Sequence, residues 1–140
     1  MNQGSRKLVD TNILVYAEDD KNPEKQKLAI NIISSSVNER NLFISIQNLS
    51  EFSNVLTSKY NIKGLDINTR ITDYKIAFNI LFFNIGTIQR ANALVDEFGI
   101  HFFDALIVAS MEESKIDIII TENEKDFKRI PWITVVNPFK

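Results

Sequence analysis

Four short apolar runs, separated by longer segments with helical spacing, constrain the fold of this chain more than any other feature. The runs are Lys7–Val9, Leu42–Ile46, Asp117–Ile120 and Ile133–Val136. The middle two are nearly continuous in apolar residues, which is typical of strands that are covered on both faces in a parallel sheet. The alternation predicts an α/β fold, a three-layer sandwich with a central, mainly parallel β-sheet flanked by helices.

The segments between the runs carry apolar residues at helical intervals. We expect five main helices, over Pro23–Arg40, Gln47–Tyr60, Asn68–Phe83, Thr87–Phe98 and Phe102–Ser114. Gly99 is placed to end the fourth of them, because glycine favours the position after a helix. A short helix should also start near Ile13. The phenylalanines of the second half are expected mostly in the core, as large apolar side chains usually are, with some at a protein interface, where aromatic residues are enriched; they are Phe82, Phe83, Phe98, Phe102 and Phe103.

Composition excludes several kinds of site. The length of 140 residues is close to the prior of about 150 residues per domain, so residues 1–140 are expected to form a single domain. The chain has no cysteine and one histidine, His101, which excludes disulfides, thiolate zinc sites, cysteine nucleophiles and multi-histidine metal sites. A net charge of −2 gives no general attraction to nucleic acid, which would need a local patch.

The sequence also predicts the cellular location of the protein. No apolar run approaches the roughly 20 residues that a membrane span needs. The polar segment Met1–Lys7 does not have the pattern of a secretory signal. We therefore expect a cytoplasmic protein without a membrane partner.

Asp10 is the first acidic residue that interrupts a buried pattern. It comes directly after the run that ends at Val9 and opens the triplet Asp10-Thr11-Asn12. Ligands of open α/β sheets bind at the carboxyl ends of the strands, so this is a position where chemistry is expected. The alternative is that Asp10 only caps the short helix that follows, a role in which aspartate is common.

Asp104 is more informative, because helical spacing puts it on the apolar side of its helix. It shares a face with Ile107, Val108 and Met111, since residues three, four and seven apart line up on a helix. A carboxylate there is costly unless it is paired, hydrogen-bonded or bound to a metal. The helix dipole explains a negative charge in the first turn, but it does not explain why the charge lies on the apolar face.

Two further acidic positions give weaker signals. Glu51 lies in the first turn of a predicted helix, where a solvated or capping role is the simpler interpretation; Ser45 or Gln47 could cap the same helix. The acidic segment Thr121–Asp126 follows another strand and could be an ordinary loop. Spacing does not decide which side chain of the segment points inward, among Glu122, Asn123, Glu124 and Asp126.

These positions share one geometry. In a parallel sheet, the strand ends and helix starts that carry Asp10, Glu51, Asp104 and the segment Thr121–Asp126 meet at one edge. Carboxylates at close range raise each other's pKa, and a divalent cation removes the conflict. Oxygen ligands without histidine or cysteine favour Mg²⁺ or Mn²⁺ over zinc.

The same residues resemble a known family. The segments on which the resemblance rests are Val9–Asn12, Ser50-Glu51, Phe103–Ala109 and Thr121–Phe127. In this order and spacing, over essentially the whole chain, they resemble the PIN-domain ribonucleases. Within that family, the sequence is most similar in pattern to the small VapC-type toxins of prokaryotic toxin–antitoxin pairs.

The resemblance implies a PIN-like fold and an Mg²⁺- or Mn²⁺-dependent endoribonuclease that cleaves RNA, usually as a homodimer with a separate antitoxin protein as partner. It assigns metal binding to Asp10, Glu51 and Asp104. The fourth acidic position of the family falls on Asn123, where many relatives carry aspartate, and the loss of that charge should weaken binding of a second cation. Residues that orient the carboxylates would be Thr11, Asn12 and Thr121.

Other interpretations stay open. Because Asn123 replaces an acid, the domain could bind RNA or protein without cutting, or it could be a nuclease of RNA maturation. A phosphatase with an aspartate nucleophile is disfavoured, since Asn12 stands where such enzymes need a second aspartate. His101 is interpreted as a polar residue at a helix start, and basic residues such as Lys59 and Lys63 as solvated rather than phosphate-binding.

Overall fold

A five-stranded parallel sheet forms the centre of the protein. The structure is a computed structural model that describes residues 4–140; Met1–Gln3, the start of the polar amino-terminal segment, lie outside the described residues. The strands are β1 (Lys7–Val9), β2 (Leu42–Ser45), β3 (Asn79–Leu81), β4 (Ile118–Ile120) and β5 (Thr134–Val136). Their order across the sheet is β3-β2-β1-β4-β5, and every neighbouring pair is parallel.

Helices connect the strands and cover both faces of the sheet. They are α1 (Thr11–Tyr16), α2 (Pro23–Glu39), α3 (Ile46–Ser58), α4 (Gly64–Ala77), α5 (Ile85–Phe98), α6 (Phe102–Glu113) and α7 (Glu124–Phe127). Within residues 4–140, none of them is both long enough and apolar enough to cross a membrane.

Alternating strand residues divide the core into two halves. Leu8 and Ile119 face a cluster built from α5, α6 and α7, whereas Val9 and Ile120 face a cluster built from α1 to α4. This is the two-residue period of a strand covered on both sides. Helix α6 is buried at every position from 105 to 111, as expected of a helix that is apolar all round. The predicted three-layer α/β sandwich with a parallel sheet is confirmed.

One local prediction is wrong. The helix expected over Asn68–Phe83 is instead α4, which ends at Ala77, followed by the edge strand β3. The strand is only three residues long and continues the apolar pattern of the helix, so periodicity did not separate them. Of the five phenylalanines expected mostly in the core, Phe83, Phe98 and Phe102 pack against it, whereas Phe82 and Phe103 have exposed fractions of 71% and 63%.

The end of α5 agrees with the sequence. Gly99 follows Phe98 with φ of 65° and its amide donates to the carbonyl of Val95. The left-handed conformation is the one that glycine adopts without steric cost. The chain can therefore turn at once into α6, which carries Asp104.

The strand order fixes where a ligand can bind. From β1 the chain moves outward on one side to β2 and β3, then returns to the other side of β1 to form β4 and β5. The direction of winding changes between β1 and β4, and in open α/β sheets the crevice outside the carboxyl ends at this switch is where ligands bind. Asp10 and Thr121 lie at that point.

Candidate functional site

A cleft of about 640 Å³ opens at the carboxyl edge of the sheet. It is lined by six of the residues that the sequence singled out, and we call it the acidic cleft: Asp10, Thr11, Asn12, Glu51, Asp104 and Asn123. The structure thus brings together side chains that are more than 100 positions apart in the chain. Their roles in binding or catalysis remain predictions.

Asp10 is fixed by the register of the two central strands. Val9 pairs with Ile120, so one position further along Asp10 lies beside Thr121. The Thr121 hydroxyl donates to Asp10 Oδ2 at 2.8 Å, and the Thr11 amide donates to Oδ1 at 2.8 Å. Burial raises the pKa of Asp10 in spite of these hydrogen bonds. Asp10 does cap α1, as the alternative interpretation held, and it lines the acidic cleft as well.

Asn48, on the first turn of α3, was not identified from the sequence. Its Oδ1 accepts from the amide and hydroxyl of Ser45, and the Ser45 hydroxyl in turn accepts from the Asn48 amide. The Asn48 side-chain amide then donates to Thr11 Oγ1 at 3.0 Å, with Asp10 Oδ1 at 3.4 Å. This capping box therefore joins the end of β2 to the start of α1. A polar residue three positions after a serine was the signal that could have revealed it.

Glu51 lies one helical turn after Gln47. Its Oε1 accepts from the Thr11 hydroxyl at 2.8 Å, and its Oε2 is 3.5 Å from the side-chain nitrogen of Gln47. That nitrogen also donates to the carbonyl of Phe103 at 2.9 Å. Of the two predicted candidates for capping α3, Ser45 forms the cap, whereas Gln47 reaches across to α6.

Asp104 sits in the first turn of α6, partly buried. Burial, a hydrogen bond with Asp126 and the nearby charge of Asp10 raise the pKa of Asp104 to about 7. A pKa shifted this far is typical of aspartates in functional sites. Asp10 and Asp104 are thus close enough to repel, which is the situation the sequence predicted.

Asp126 lies behind Asp104, buried, on α7. Burial alone would raise the pKa of Asp126, but hydrogen bonds from the His101 amide, from Asp104 and from the His101 ring hold it at about 2. The His101 Nδ1 to Asp126 Oδ2 distance is 2.6 Å. His101 does begin α6, but its side chain binds Asp126 instead of capping the helix. Ligand atoms of His101, Asp104 and Asp126 lie within 4.8 Å of one another and could hold a metal ion.

The segment after β4 divides into inward and outward side chains. Thr121 is buried and also accepts from the Asn12 side chain at 3.0 Å and from the Asn123 amide at 2.9 Å. Asn123 lines the acidic cleft. Glu122 is not among the residues that line the cleft, and its carboxylate binds Lys25 and the hydroxyl of Tyr16. Part of the expected loop, Glu124–Phe127, is the short helix α7.

The donor set of the acidic cleft fits a hard divalent cation. Asp10, Glu51 and Asp104 offer carboxylate oxygens, and no lysine or arginine among residues 4–140 forms a salt bridge with any of them. Lys59 also lines the cleft. Oxygen ligands with room for water are what Mg²⁺ and Mn²⁺ require.

Comparison with known proteins agrees with this geometry. The family model of the PIN domain matches residues 7–133. A toxin–antitoxin complex from Klebsiella pneumoniae contains a chain 26% identical to this one, covering 96% of this chain and 98% of that chain, with a TM-score of 0.68. Two other solved structures share the fold. One is VapBC2 from Rickettsia felis bound to a DNA fragment from its promoter, with 24% identity, 94% and 97% coverage and a TM-score of 0.66.

The second of these structures is VapC20 from Mycobacterium tuberculosis, a Sarcin-Ricin loop cleaving toxin. It is 16% identical, with 91% of this chain and 96% of that chain covered and a TM-score of 0.65. A comparison with curated proteins finds no significant sequence match. The family model spans nearly all of the described residues, including every residue of the acidic cleft. The chain therefore belongs to the PIN-domain family.

Proposed function

We propose that the protein is an Mg²⁺- or Mn²⁺-dependent endoribonuclease that hydrolyses RNA phosphodiester bonds, and that it is the toxin of a type II toxin–antitoxin pair. One observation carries the proposal. Asp10, Glu51 and Asp104 line a single cleft without a cationic side chain bonded to them within residues 4–140. Uncompensated carboxylates at close range are costly, and a bound divalent cation offsets that cost.

Asp10, Glu51 and Asp104 would hold the cation, directly or through water. When bound, such an ion supplies Lewis-acid chemistry, because it offsets charge that develops on the phosphate and makes a water a better nucleophile. Asn123 brings a neutral amide where many relatives carry an acid. The cleft therefore has one negative charge fewer, which favours one tightly held cation over two.

The residues around the carboxylates keep them oriented toward the cleft. The Thr11 amide donates to one oxygen of Asp10 and the Thr121 hydroxyl to the other, both at 2.8 Å, and the side-chain amides of Asn48 and Asn12 lie 3.4 Å from the same two oxygens. The Thr11 hydroxyl holds Glu51 from the side of α1. Glu51 is then placed to complete the shell of the cation or to orient the attacking water.

The proposed reaction is in-line attack by water on the phosphodiester, leaving a 5′-phosphate and a 3′-hydroxyl, as the family resemblance implies. This route does not use the ribose 2′-hydroxyl as nucleophile, so a preference for RNA has to come from recognition. Lys59, which the sequence alone suggested was merely solvated, lines the cleft together with Tyr60, and we propose that it contacts a phosphate of the bound strand.

An antitoxin and a second copy of the chain are the proposed protein partners. The Klebsiella pneumoniae and Rickettsia felis structures, a toxin–antitoxin complex and a VapBC2 assembly, support an antitoxin. The exposed rings of Phe82 and Phe103 support a protein interface of some kind, because aromatic residues are enriched there.

The test is a titration of Mn²⁺ against cleavage of end-labelled RNA by the purified protein, with an EDTA control. We expect cleavage to begin with added Mn²⁺, to stop with EDTA and to leave 5′-phosphate ends. Cleavage that persists in EDTA would contradict the proposed chemistry.

A second candidate function follows from Asn123. Because asparagine stands at the family's fourth acidic position, the domain could bind RNA without cutting it. The same titration separates the two, since a binder would retard labelled RNA in a gel but leave it intact at every Mn²⁺ concentration. A role in RNA maturation instead of toxicity is tested by the gene neighbourhood, where a short gene for a DNA-binding antitoxin directly upstream supports the toxin.

A further inference from the structure

Gln47 joins the two helices that carry Glu51 and Asp104. It lies on the first turn of α3, one turn before Glu51, and its exposed fraction is 6%. Its side-chain nitrogen donates to the carbonyl of Phe103 at 2.9 Å and lies 3.5 Å from Glu51 Oε2. Phe103 is the residue before Asp104. One amide group therefore contacts both the carboxylate of Glu51 and the backbone of the turn that carries Asp104.

The other end of the same amide is left without a partner. Gln47 Oε1 is buried and accepts no hydrogen bond among the described residues. A buried acceptor without a partner lowers stability, whereas an apolar side chain of the same size would avoid that cost. Exchanging the side-chain oxygen and nitrogen of Gln47 would not give the oxygen a donor, because it would then face two other acceptors, Glu51 Oε2 and the Phe103 carbonyl. The arrangement is therefore explained better by what the N–H group does than by stability.

We propose that Gln47 is a positioning residue for cation binding. It holds the Glu51 carboxylate and the first turn of α6 at the separation at which Glu51 and Asp104 share one ion. The inference rests on the proposed function, which supplies the cation. Thr11 fixes one oxygen of Glu51 and Gln47 restrains the other, so the plane of the carboxylate is set from two sides.

The two contacts of Gln47 differ in strength. The bond to the Phe103 carbonyl has ordinary length, whereas the contact with Glu51 is at the long limit for a hydrogen bond. The main effect of Gln47 is thus to hold α6 against α3, and its weaker contact orients the Glu51 carboxylate. Residues that hydrogen-bond to metal ligands typically change metal affinity or activity by about 10- to 100-fold when they are replaced.

The test replaces Gln47 by methionine, which has nearly the same shape but neither the donor nor the unpaired acceptor. We expect Mn²⁺ to bind the Gln47→Met variant about 10- to 100-fold more weakly, measured by the electron paramagnetic resonance signal of free Mn²⁺, and RNA cleavage to need correspondingly more Mn²⁺. The unfolding temperature without divalent ions should stay the same or rise, because the orphaned oxygen is gone.

Gln26 offers a matched control. Its side chain also donates to a backbone carbonyl, that of Ala17 at 3.2 Å, but it does not contact the carboxylates of the acidic cleft. The Gln26→Met variant should bind Mn²⁺ and cleave RNA like the unmodified protein. If Gln47→Met does not fold, Gln47→Asn takes its place, because its shorter side chain keeps the amide but cannot span from Glu51 to Phe103.

Each outcome decides something. Weaker Mn²⁺ binding with an unchanged or raised unfolding temperature supports the positioning role. Unchanged binding and cleavage in Gln47→Met overturns it and leaves the proposed function standing. Weaker binding that comes with a large fall in unfolding temperature also overturns it, because Gln47 would then be structural. If the unmodified protein neither binds Mn²⁺ nor cleaves RNA, the proposed function itself fails.

Discussion

The acidic cleft and the segment that follows β4 both contain several carboxylates, but within the described range 4–140 only those of the segment, Glu122 and Glu124, have lysine partners. Glu122 binds Lys25, and Glu124 binds Lys128 and Lys140. Hydrogen bonds from these two lysines and from the Asn137 side chain lower the pKa of Glu124 to about 2. Each of these acids has its counter-charge within the protein.

In the cleft the shifts go the other way. Burial raises the pKa of Asp10 and brings that of Asp104 to about 7, and neither forms a salt bridge with a lysine or arginine in the described part of the chain. The difference teaches that acidic residues near the same edge of the sheet can have opposite surroundings. Those with a cationic partner have their charge balanced within the protein, whereas those without one are the acids that we propose bind a cation.

The comparison predicts that the two groups of acids respond very differently to removal of their charge. Asp104→Asn should keep the fold but reduce divalent-dependent RNA cleavage by roughly a thousandfold or more, because the ion's charge stabilisation is worth several kcal/mol and each 1.4 kcal/mol is about a factor of ten. Glu124→Gln should leave cleavage nearly unchanged. Initial rates on labelled RNA check both, and equal rates for Asp104→Asn and the unmodified protein would refute the assignment.

The pH dependence should follow Asp104. Its pKa of about 7 means that the carboxylate must lose a proton before it can bind a cation, so metal affinity rises with pH. At low Mn²⁺ concentration we expect cleavage to rise about tenfold per pH unit below pH 7 and to level off above it. Saturating Mn²⁺ should move the midpoint to lower pH. A profile that is flat across this range, or that does not move with Mn²⁺, would break the link between Asp104 and the ion.

Binding of a cation should stabilise the folded protein. At a Mn²⁺ concentration of about 100 times Kd, the free energy of unfolding should increase by about 2.7 kcal/mol. Asp10→Asn should lose most of this increase, and Glu122→Gln should retain it. Thermal unfolding with and without Mn²⁺ measures the effect, and equal stabilisation of the unmodified protein and Asp10→Asn would place the ion elsewhere.

The smallest expected effect concerns stability without metal. The pKa of Asp104 is 3.8 in its unperturbed form and about 7 in the folded protein, so between these values the folded state holds a proton that the unfolded state has released. Its contribution to stability is complete below about pH 4 and is lost as pH rises through 7. Asp104→Asn should therefore stabilise the metal-free protein at pH 8. One pKa unit corresponds to about 1.4 kcal/mol, but Asp104 is only partly buried, so solvent screening reduces the effect of the whole shift to roughly 1–2 kcal/mol.

The same substitution should have little effect near pH 4. Urea unfolding in EDTA at the two pH values measures the difference. A loss of stability at pH 8 would mean that the Asp104 carboxylate is already compensated in the folded protein.

Sequence patterns predicted the layers of the fold better than its edges. Apolar runs such as Asp117–Ile120 mark the central strands because both faces are covered. Strand β3 was not predicted because it is short, lies at the edge of the sheet and directly continues the apolar pattern of α4. Exposure of Phe82 beside it could not be seen from composition, since burial depends on what packs against the residue.

The positions of the acidic residues were predictable for a similar reason, and the family resemblance named Thr11, Asn12 and Thr121 beside them, but the contacts of Gln47 and Asn48 were not predicted. Asp10 and Asp104 stand out because charge interrupts a buried pattern. Gln47 and Asn48 look like ordinary polar residues of a helix start, and their partners are 37 to 56 positions away in the chain. The orientation of Glu122 likewise depends on a distant residue, Lys25.

The most direct test of the account is a crystal of the protein soaked in Mn²⁺ and measured for anomalous scattering. We predict a peak in the acidic cleft, within bonding distance of carboxylate oxygens of Asp10 and Asp104 and near Glu51. A well-ordered cleft without such a peak at saturating Mn²⁺, or a peak that lies only between His101 and Asp126, would contradict the account.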